Sequence, residues 1–584
     1  MDRFRITPTR ALGLLCVAIV VVGGWQYRWI ADDAMIDFRI VHNLLHGHGP
    51  VYNVGERVEV YTNPLWVAIL ALARLPLFFL PTGWIAVIVG IGLSAAAVYL
   101  AATRPGNGHS SLPVGLVVFA CIPATWEFVT SGLETSLSFF YLGLSLYLVA
   151  RVVASSRGFW WAAGVVSLGS LVRPDLLIYT LCFGVVLWWA QSRSRQETTR
   201  LGRLRLLGVL AGPTLLYEVF RMAYFGLLVS NTALVKSATS LRPGQGINYL
   251  ANALWCYGLL IPLALALAGF LLLSPESSRI RGLSPRAASV ALVVGGVIQI
   301  AYVVAIGGDF MHARMVMPGI FAIAAGWRVS YPLNRRSFLI LTPLAVYLVV
   351  LVSALRIAPP SLLFPSFVND ERTVERSATS MGHPISEADM RMALWYRYGL
   401  ELRSAADRVQ GPTQLALSSS PTMFAPRVST PQTIRARENL RWKLIAPSRT
   451  AGQVGLASGD SVYVYDELSL ANPISSHFQL TVRLKPGHEK VSDLDWFLGR
   501  FGTPADTLAA QRITHRYVLA PITLQHVIDA QAALRCGPLH SYLIAIDAPL
   551  TPKRMISNMV HAVSWTRFTM SKDPTVARAQ LCGH

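Results

Sequence analysis

The chain lacks the motifs of the common phosphate and redox cofactors. It has no Walker loop, no GxGxxG, no HExxH and no CxxC, so ATP, nicotinamide cofactors and structural zinc are not indicated. No internal repeat and no low-complexity tract interrupts it. Charge is scarce: 14% of the 584 residues are charged, against 53% hydrophobic, and the mean hydropathy is +0.45. That balance describes a polytopic membrane protein and excludes a soluble protein with a large core. Acids are scarcer still, 31 against 51 Lys and Arg, for a net charge of +20. In a soluble chain such an excess would point to nucleic acid. Here the arginines sit in short loops between apolar runs, where the positive-inside rule accounts for them, and no nucleic-acid partner is expected. Only six cysteines occur, and four of them (Cys16, Cys121, Cys182, Cys256) lie inside apolar runs. No small-residue cleavage pattern follows the first apolar run, so it is expected to stay as a signal anchor.

That first run, residues 11–22, follows Arg3, Arg5 and Arg10, which places the N-terminus in the cytoplasm. Trp25, Tyr27 and Trp29 mark the far interface, and the adjacent acids Asp32 and Asp33 come next, opening a loop over residues 31–63. Two readings of this pair are compatible. One Asp caps the helix that the apolar pattern of residues 34–45 predicts, while the other faces a cavity.

Further apolar stretches follow at 65–80, 84–102, 112–124, 137–153, 159–171, 176–190, 206–220, 250–273, 287–306, 316–327 and 338–355. Basic clusters at Arg151/Arg157 and in residues 193–205, 279–286 and 328–336 read as cytoplasmic. The intervening polar loops then lie outside. Both Val60 and Glu134 fall outside, so an even number of crossings separates them. Three apolar stretches compete for that interval, so one of them is expected to be short, re-entrant or surface-lying. The expectation is about eleven helices of ~20 residues, which leaves the C-terminus outside. Residues 1–358 would form the membrane domain. After Pro359 and Pro360 the chain turns polar and carries alternating runs such as SVYVY, QLTVRL and YLIAI, so residues 359–584 are expected to form an extracytoplasmic mixed domain, rich in β-structure. Cys536 and Cys582 lie there, in a compartment that permits a disulfide.

Polar groups at membrane depth are costly and persist mostly where they face a cavity. Glu134, in TSGLETS, reads alone as a helix cap. Arg173 and Asp175, in RPD, read alone as an ion pair at a helical hairpin. Arg221, Asn231, Thr232 and Lys236 reach the outer surface together, although a single Lys commonly snorkels. GGDFMHAR places Asp309, His312 and Arg314 in a glycine-started turn, and an Arg there suits a phosphate. Arg372, in NDER, and His383, in MGHP, open the polar region. Taken together, acids and bases from at least five outer loops converge on one membrane face, as expected of a site that handles an anionic, membrane-borne molecule.

These segments carry a resemblance. The DD opening followed by RxxxNLxxGxGxVxNxGERVExxTN, with GLET, RPD, YFGxxxxNTxxxK and GGDFMHxR, is similar to the GT-C glycosyltransferase superfamily. VNDER, His383–Pro384, LANPI, KPGHEK and the LRCG and LCG segments resemble the terminal arabinofuranosyltransferases of the actinobacterial cell wall, the AftB type. The resemblance implies a GT-C fold and, as donor, a polyprenyl-phosphate sugar, decaprenyl-phosphoryl-arabinofuranose. As acceptor it implies an arabinan terminus in arabinogalactan or lipoarabinomannan. No other cofactor is indicated and no metal ligand is assigned, while a need for a divalent metal is left open. Asp32 or Asp33 would supply the catalytic carboxylate. Arg314, Lys236 and Arg173 would hold the donor phosphate, with Asp309, His312, Glu134, Asn231, Arg372 and His383 lining the substrate site. The alternatives are another polyprenyl-phosphate glycosyltransferase, such as a mannosyltransferase, or a non-catalytic lipid-sugar flippase or polysaccharide-binding scaffold.

Overall fold

A computed structural model describes residues 7–105, 111–192, 199–237, 240–273, 286–331, 333–354, 356–357, 367–417, 430–482, 485–503, 506–507 and 522–583. Arg3, Arg5, the Pro359–Pro360 boundary and much of the basic clusters at 193–205 and 279–286 lie outside these residues. The protein is a polytopic helical membrane protein. Among the described residues, seven helices are long and apolar enough to cross a bilayer: Pro8–Gln26, Thr82–Thr103, Thr135–Ser155, Pro174–Gln191, Arg200–Phe225, Arg286–Ala305 and Arg335–Ala354. The run expected at 250–273 is instead a bent pair, Pro243–Cys256 and Leu260–Leu273, with an 83° break. Gly258 sits in that break with φ +58, a left-handed turn that ends one helix before the next begins. The run at 112–124 also breaks in two, Val114–Cys121 and Pro123–Thr130, because Pro123 holds Ile122 extended (φ −72, ψ 122). The stretch at 65–80 yields Pro64–Arg74, an 11-residue helix too short to span by itself.

By internal packing the chain forms two compact units. The first comprises Met1–Trp29, Trp84–Leu215 and Leu241–Arg372. Its helices approach closely through small residues. A Cβ at Gly143 would meet the Ala97 carbonyl oxygen at 2.5 Å, and one at Gly296 would meet the Ala322 Cβ at 2.9 Å. Phe119, Phe139 and Phe321 pack mutually, with ring centroids 5.1–5.6 Å apart.

The second unit comprises Ile30–Gly83, Leu216–Ser240 and Thr373–His584. It holds a four-stranded mixed sheet. Gln414–Ala416 pairs antiparallel with Thr433–Arg435 and parallel with Leu444–Ser448, which in turn pairs parallel with Val462–Asp466. Trp442, Tyr463, Tyr465, Phe497 and Phe501 build its core. The expected β-richness needs correction. SVYVY does supply a strand, but 479–482 of QLTVRL form none, and 483–484 lie outside the described residues. YLIAI lies within the helix Gly537–Asp547. Pro538 starts that helix in its first turn, and Leu539, Tyr542, Leu543 and Ile546 bury one face at a spacing of three and four, so the helical period prevails over the alternating one. Cys536 and Cys582 are joined by a disulfide.

Candidate functional site

The residues singled out from sequence fall in both units. In the first unit, the 307–314 turn organises the polar side chains. Gly307 and Gly308 have φ of +95 and +75, and a Cβ on Gly308 would lie 2.4 Å from the Tyr249 ring, so glycine is required there. Tyr249 pins the turn from beneath: its hydroxyl donates to the Met311 carbonyl at 3.0 Å and accepts from the Met315 N–H at 3.0 Å. Ala313 has φ +57, a strained value for a residue with a Cβ, directly between His312 and Arg314.

Around this turn three acids meet two arginines. Arg173 grips Asp175 through two parallel hydrogen bonds of 3.0 Å each, and Gln299 donates to the same carboxylate at 2.9 Å. Glu134 is the N-cap residue of Thr135–Ser155, yet its side chain makes no cap bond. It lies instead 3.4 Å from Arg314 and 3.7 Å from Arg173. Asp309 accepts from the Phe310 N–H at 2.9 Å and stands 3.5 Å from Arg314. The structure thus brings Glu134, Arg173, Asp309 and Arg314 together in one buried network, with carboxylates already on both guanidiniums. Arg173 is locked by its fork on Asp175, whereas the contacts of Arg314 to Glu134 and Asp309 are 3.4–3.5 Å. His312 turns the other way, toward Glu127 at 3.0 Å and Arg356 at 3.5 Å. Arg372 is buried against Tyr27, donating to its carbonyl at 3.0 Å with the guanidinium over its ring at 4.4 Å.

In the second unit, Asp32 and Asp33 open the helix Asp32–Leu45, whose N-cap residue is Ala31. Asp32 does cap a helix, but a different one. Its Oδ1 accepts from the Gln453 N–H at 2.7 Å and its Oδ2 from the Gly452 N–H at 3.3 Å, at the start of Gly452–Ser458. The approach is close enough that a Cβ on Gly452 would lie 1.9 Å from the Asp32 carbonyl oxygen. Asp33 is half-buried one position on, and Asp37, one turn further along that face, is buried and accepts from Asn63 at 2.8 Å. Asn231 donates to the Ser469 and Leu470 carbonyls at 3.0 and 2.8 Å, so it fastens the LANPI segment. Lys236 ends the short helix Asn231–Val235, and its Cε would touch a Cβ on Gly487 at 3.4 Å. The Pro384 carbonyl next to His383 accepts from the Ile30 N–H at 3.0 Å.

Several working residues of this unit entered the sequence reading only as letters of the resemblance motif, with no role assigned to them. Arg39 is buried and donates to the carbonyls of Tyr52, Gly455 and Val462. Glu59 is fully buried, taking a 2.6 Å bond from Arg221 and a 2.7 Å bond from Tyr217. Glu56 pairs with Arg500 and accepts from Tyr463 at 2.9 Å. The alternation in ERVEVY carries the signal: Glu56 and Glu59 lie on opposite parities of an extended loop, yet both are buried, which only paired carboxylates tolerate. Burial also pushes the carboxyl of Glu467 up to about 7 and that of Asp466 to about 6, and pulls the Lys490 ammonium down to about 8.

No family model matches the chain, and no solved structure matches it. Two curated relatives do match. A terminal β-(1→2)-arabinofuranosyltransferase from Mycobacterium tuberculosis is 30% identical over 626 aligned positions, covering 97% of this chain and 96% of the relative. A protein of the same description from Corynebacterium glutamicum is 27% identical over 596 positions, covering 93% of this chain and 83% of the relative.

Proposed function

Because the chain belongs to the terminal β-(1→2)-arabinofuranosyltransferase family, we propose that it moves arabinofuranose from decaprenyl-phosphoryl-arabinose to the end of a cell-wall arabinan. It is a membrane glycosyltransferase, an arabinofuranosyltransferase of cell-wall arabinan. The observation that carries the reading is similarity along nearly the full length of both chains, membrane helices and polar region alike. We place the reaction on the extracytoplasmic face, in a GT-C fold. Nucleotide sugars are scarce on that face, so a lipid-linked donor is required, and this chain carries no nucleotide motif.

A phosphate leaving group needs cations that strengthen their hold as charge develops. Arg314 takes that role. Its contacts with Glu134 and Asp309 are long enough for a phosphate oxygen to replace them, and its fork matches phosphate in a way that lysine does not. Asp33 provides the carboxylate that acts at the anomeric carbon or on the acceptor hydroxyl. Transfer from a β-linked donor to a β-linked product retains configuration. One in-line displacement inverts, so retention takes either two displacements through an aspartyl-sugar or departure and attack on the same face.

The test is to incubate purified protein with lipid-linked pentoses and hexoses plus a short arabinan, then map the product linkage. Transfer of a hexose in preference to arabinofuranose would overturn the reading. A 2-fluoro-arabinosyl donor separates the two retaining routes, since only the first leaves a sugar on an aspartyl peptide.

A further inference from the structure

Three donor groups from three separate segments of the first unit come within 4.8 Å of one another: the carboxylates of Glu127 and Asp370 and a ring nitrogen of His312. Glu127 lies on Pro123–Thr130, His312 on the glycine-started turn, and Asp370 just before the helix Glu371–Thr379. Glu127 is 6% exposed and His312 2%. Their Oε2 and Nε2 atoms stand 3.0 Å apart, but the angles are not those of a hydrogen bond, and among the described residues neither atom has a hydrogen-bond partner. The buried hydroxyl of Tyr257, whose ring lies 6.2 Å from that of His312, likewise makes no hydrogen bond among the described residues. Buried polar atoms without a hydrogen-bond partner are uncommon in native structures, so the Glu127 Oε2 and His312 Nε2 atoms, 3.0 Å apart, call for a common ligand.

The chemistry of the set selects that ligand. Two carboxylates and one imidazole suit a divalent transition metal such as Mn2+ or Zn2+ better than Ca2+, which prefers oxygen alone. Two ligand atoms about 2.1 Å from an ion at right angles lie about 3.0 Å apart. The Glu127–His312 separation is that bite. The ligands are held ready. The His312 N–H donates to the Asn369 carbonyl at 3.1 Å and the Asn369 N–H to the Phe310 carbonyl at 2.7 Å, so the segments bearing His312 and Asp370 are zipped together. Arg356 supports Asp370 at 2.7 Å, as outer groups commonly support a ligating carboxylate. The same guanidinium is 3.5 Å from His312 Nδ1. A metal on Nε2 places the ring proton on Nδ1, so that contact opens on binding while Arg356 stays with Asp370.

We propose that Glu127, His312 and Asp370 bind one divalent transition-metal ion, which fastens the 307–314 turn to the helix Pro123–Thr130. The test needs no substrate and is independent of the transferase reading. Full-length protein in detergent is stripped with EDTA, reloaded with Mn2+ or Zn2+ alone, and assayed for metal content and melting temperature. About one ion per chain is expected, with a rise in melting temperature that EDTA reverses. Glu127→Gln and His312→Gln should each lower the metal content at least about tenfold and abolish the rise, while Glu438→Gln, at an exposed site, should change neither. Wild-type protein holding less than about 0.1 ion per chain at micromolar metal would overturn the proposal, as would full loading of a folded Glu127→Gln variant. Should one variant fail to fold, the wild-type loading and the other variant still decide.

Discussion

The carboxylate of Asp32 accepts a 2.7 Å hydrogen bond from the backbone N–H of Gln453, so the first of the two adjacent acids is committed to holding another helix start. We propose that the two acids differ in role, with Asp33 the reacting one. Asp32→Ala should cost stability, about 1 kcal/mol as for loss of a helix cap, and lower transfer in proportion to the folded fraction lost. Asp33→Ala should fold normally and lose transfer by more than a hundredfold. Thermal melts and radiolabelled transfer on both variants check this. Near wild-type turnover in Asp33→Ala would remove Asp33 from the reaction.

Arg314 stands between two carboxylates, so its role can be separated from simple charge balance. Arg314→Lys should lower kcat strongly with a smaller change in KM if, as we propose, the fork acts most on the departing phosphate. Arg314→Ala should be nearly inactive. If Arg314 only neutralised Asp309, the pair Asp309→Asn with Arg314→Gln would recover activity. We expect that double variant to stay inactive while folding.

The Cys536–Cys582 bond closes the end of the chain onto the helix Gly537–Asp547. Denatured, non-reduced protein should titrate only the four thiols of Cys16, Cys121, Cys182 and Cys256. Cys582→Ser should destabilise the second unit by about 2–5 kcal/mol, measurable as a lower unfolding midpoint.

Glu467 gives a pH dependence with a definite sign. Burial raises its carboxyl in the folded protein from 4.5 to about 7, with Asp466 and Asp493 reinforcing and Arg449 opposing. Its neutral form is the one the fold prefers. The stability that this group contributes is therefore fully present below pH 4.5 and is lost as pH rises through 7. The Arg449 partner is half exposed at 3.6 Å and offsets little. Glu467→Gln should stabilise by roughly 1–3 kcal/mol at about pH 8 and by nothing near pH 4.5. Melting curves across that interval measure it, and an unchanged difference between the two pH values would refute the cause.

Hydropathy made the membrane character legible, because ~20 apolar residues in a row match the length that a bilayer-spanning helix needs. It did not reveal the break at Gly258 or the stop at Ile122, since those depend on one backbone angle each. VYVYD was readable as a strand, but YLIAI was not readable as a helix, since a short apolar run fits both periods until its neighbours choose. At the candidate site, Asp309 and Arg314 announced themselves by the glycines beside them. Glu127 and Arg39 did not. Each looks like an ordinary residue in an amphipathic stretch, and its importance comes from partners distant in sequence.

Arg39 holds the carbonyls of Gly455 and Val462, 416 and 423 positions away along the chain. These bonds set a timetable for biogenesis. The loop bearing Asp32 and Asp33 is made early and its buried arginine has the Tyr52 carbonyl close at hand, yet its other two carbonyl acceptors follow only after more than four hundred further residues have been made. At about 5–20 residues per second, the loop waits about 20–80 seconds for these two bonds. In that interval it is open to proteases and to chaperones of the compartment that receives it. Chains released before residue 455 should therefore be degraded rather than accumulate as a membrane half.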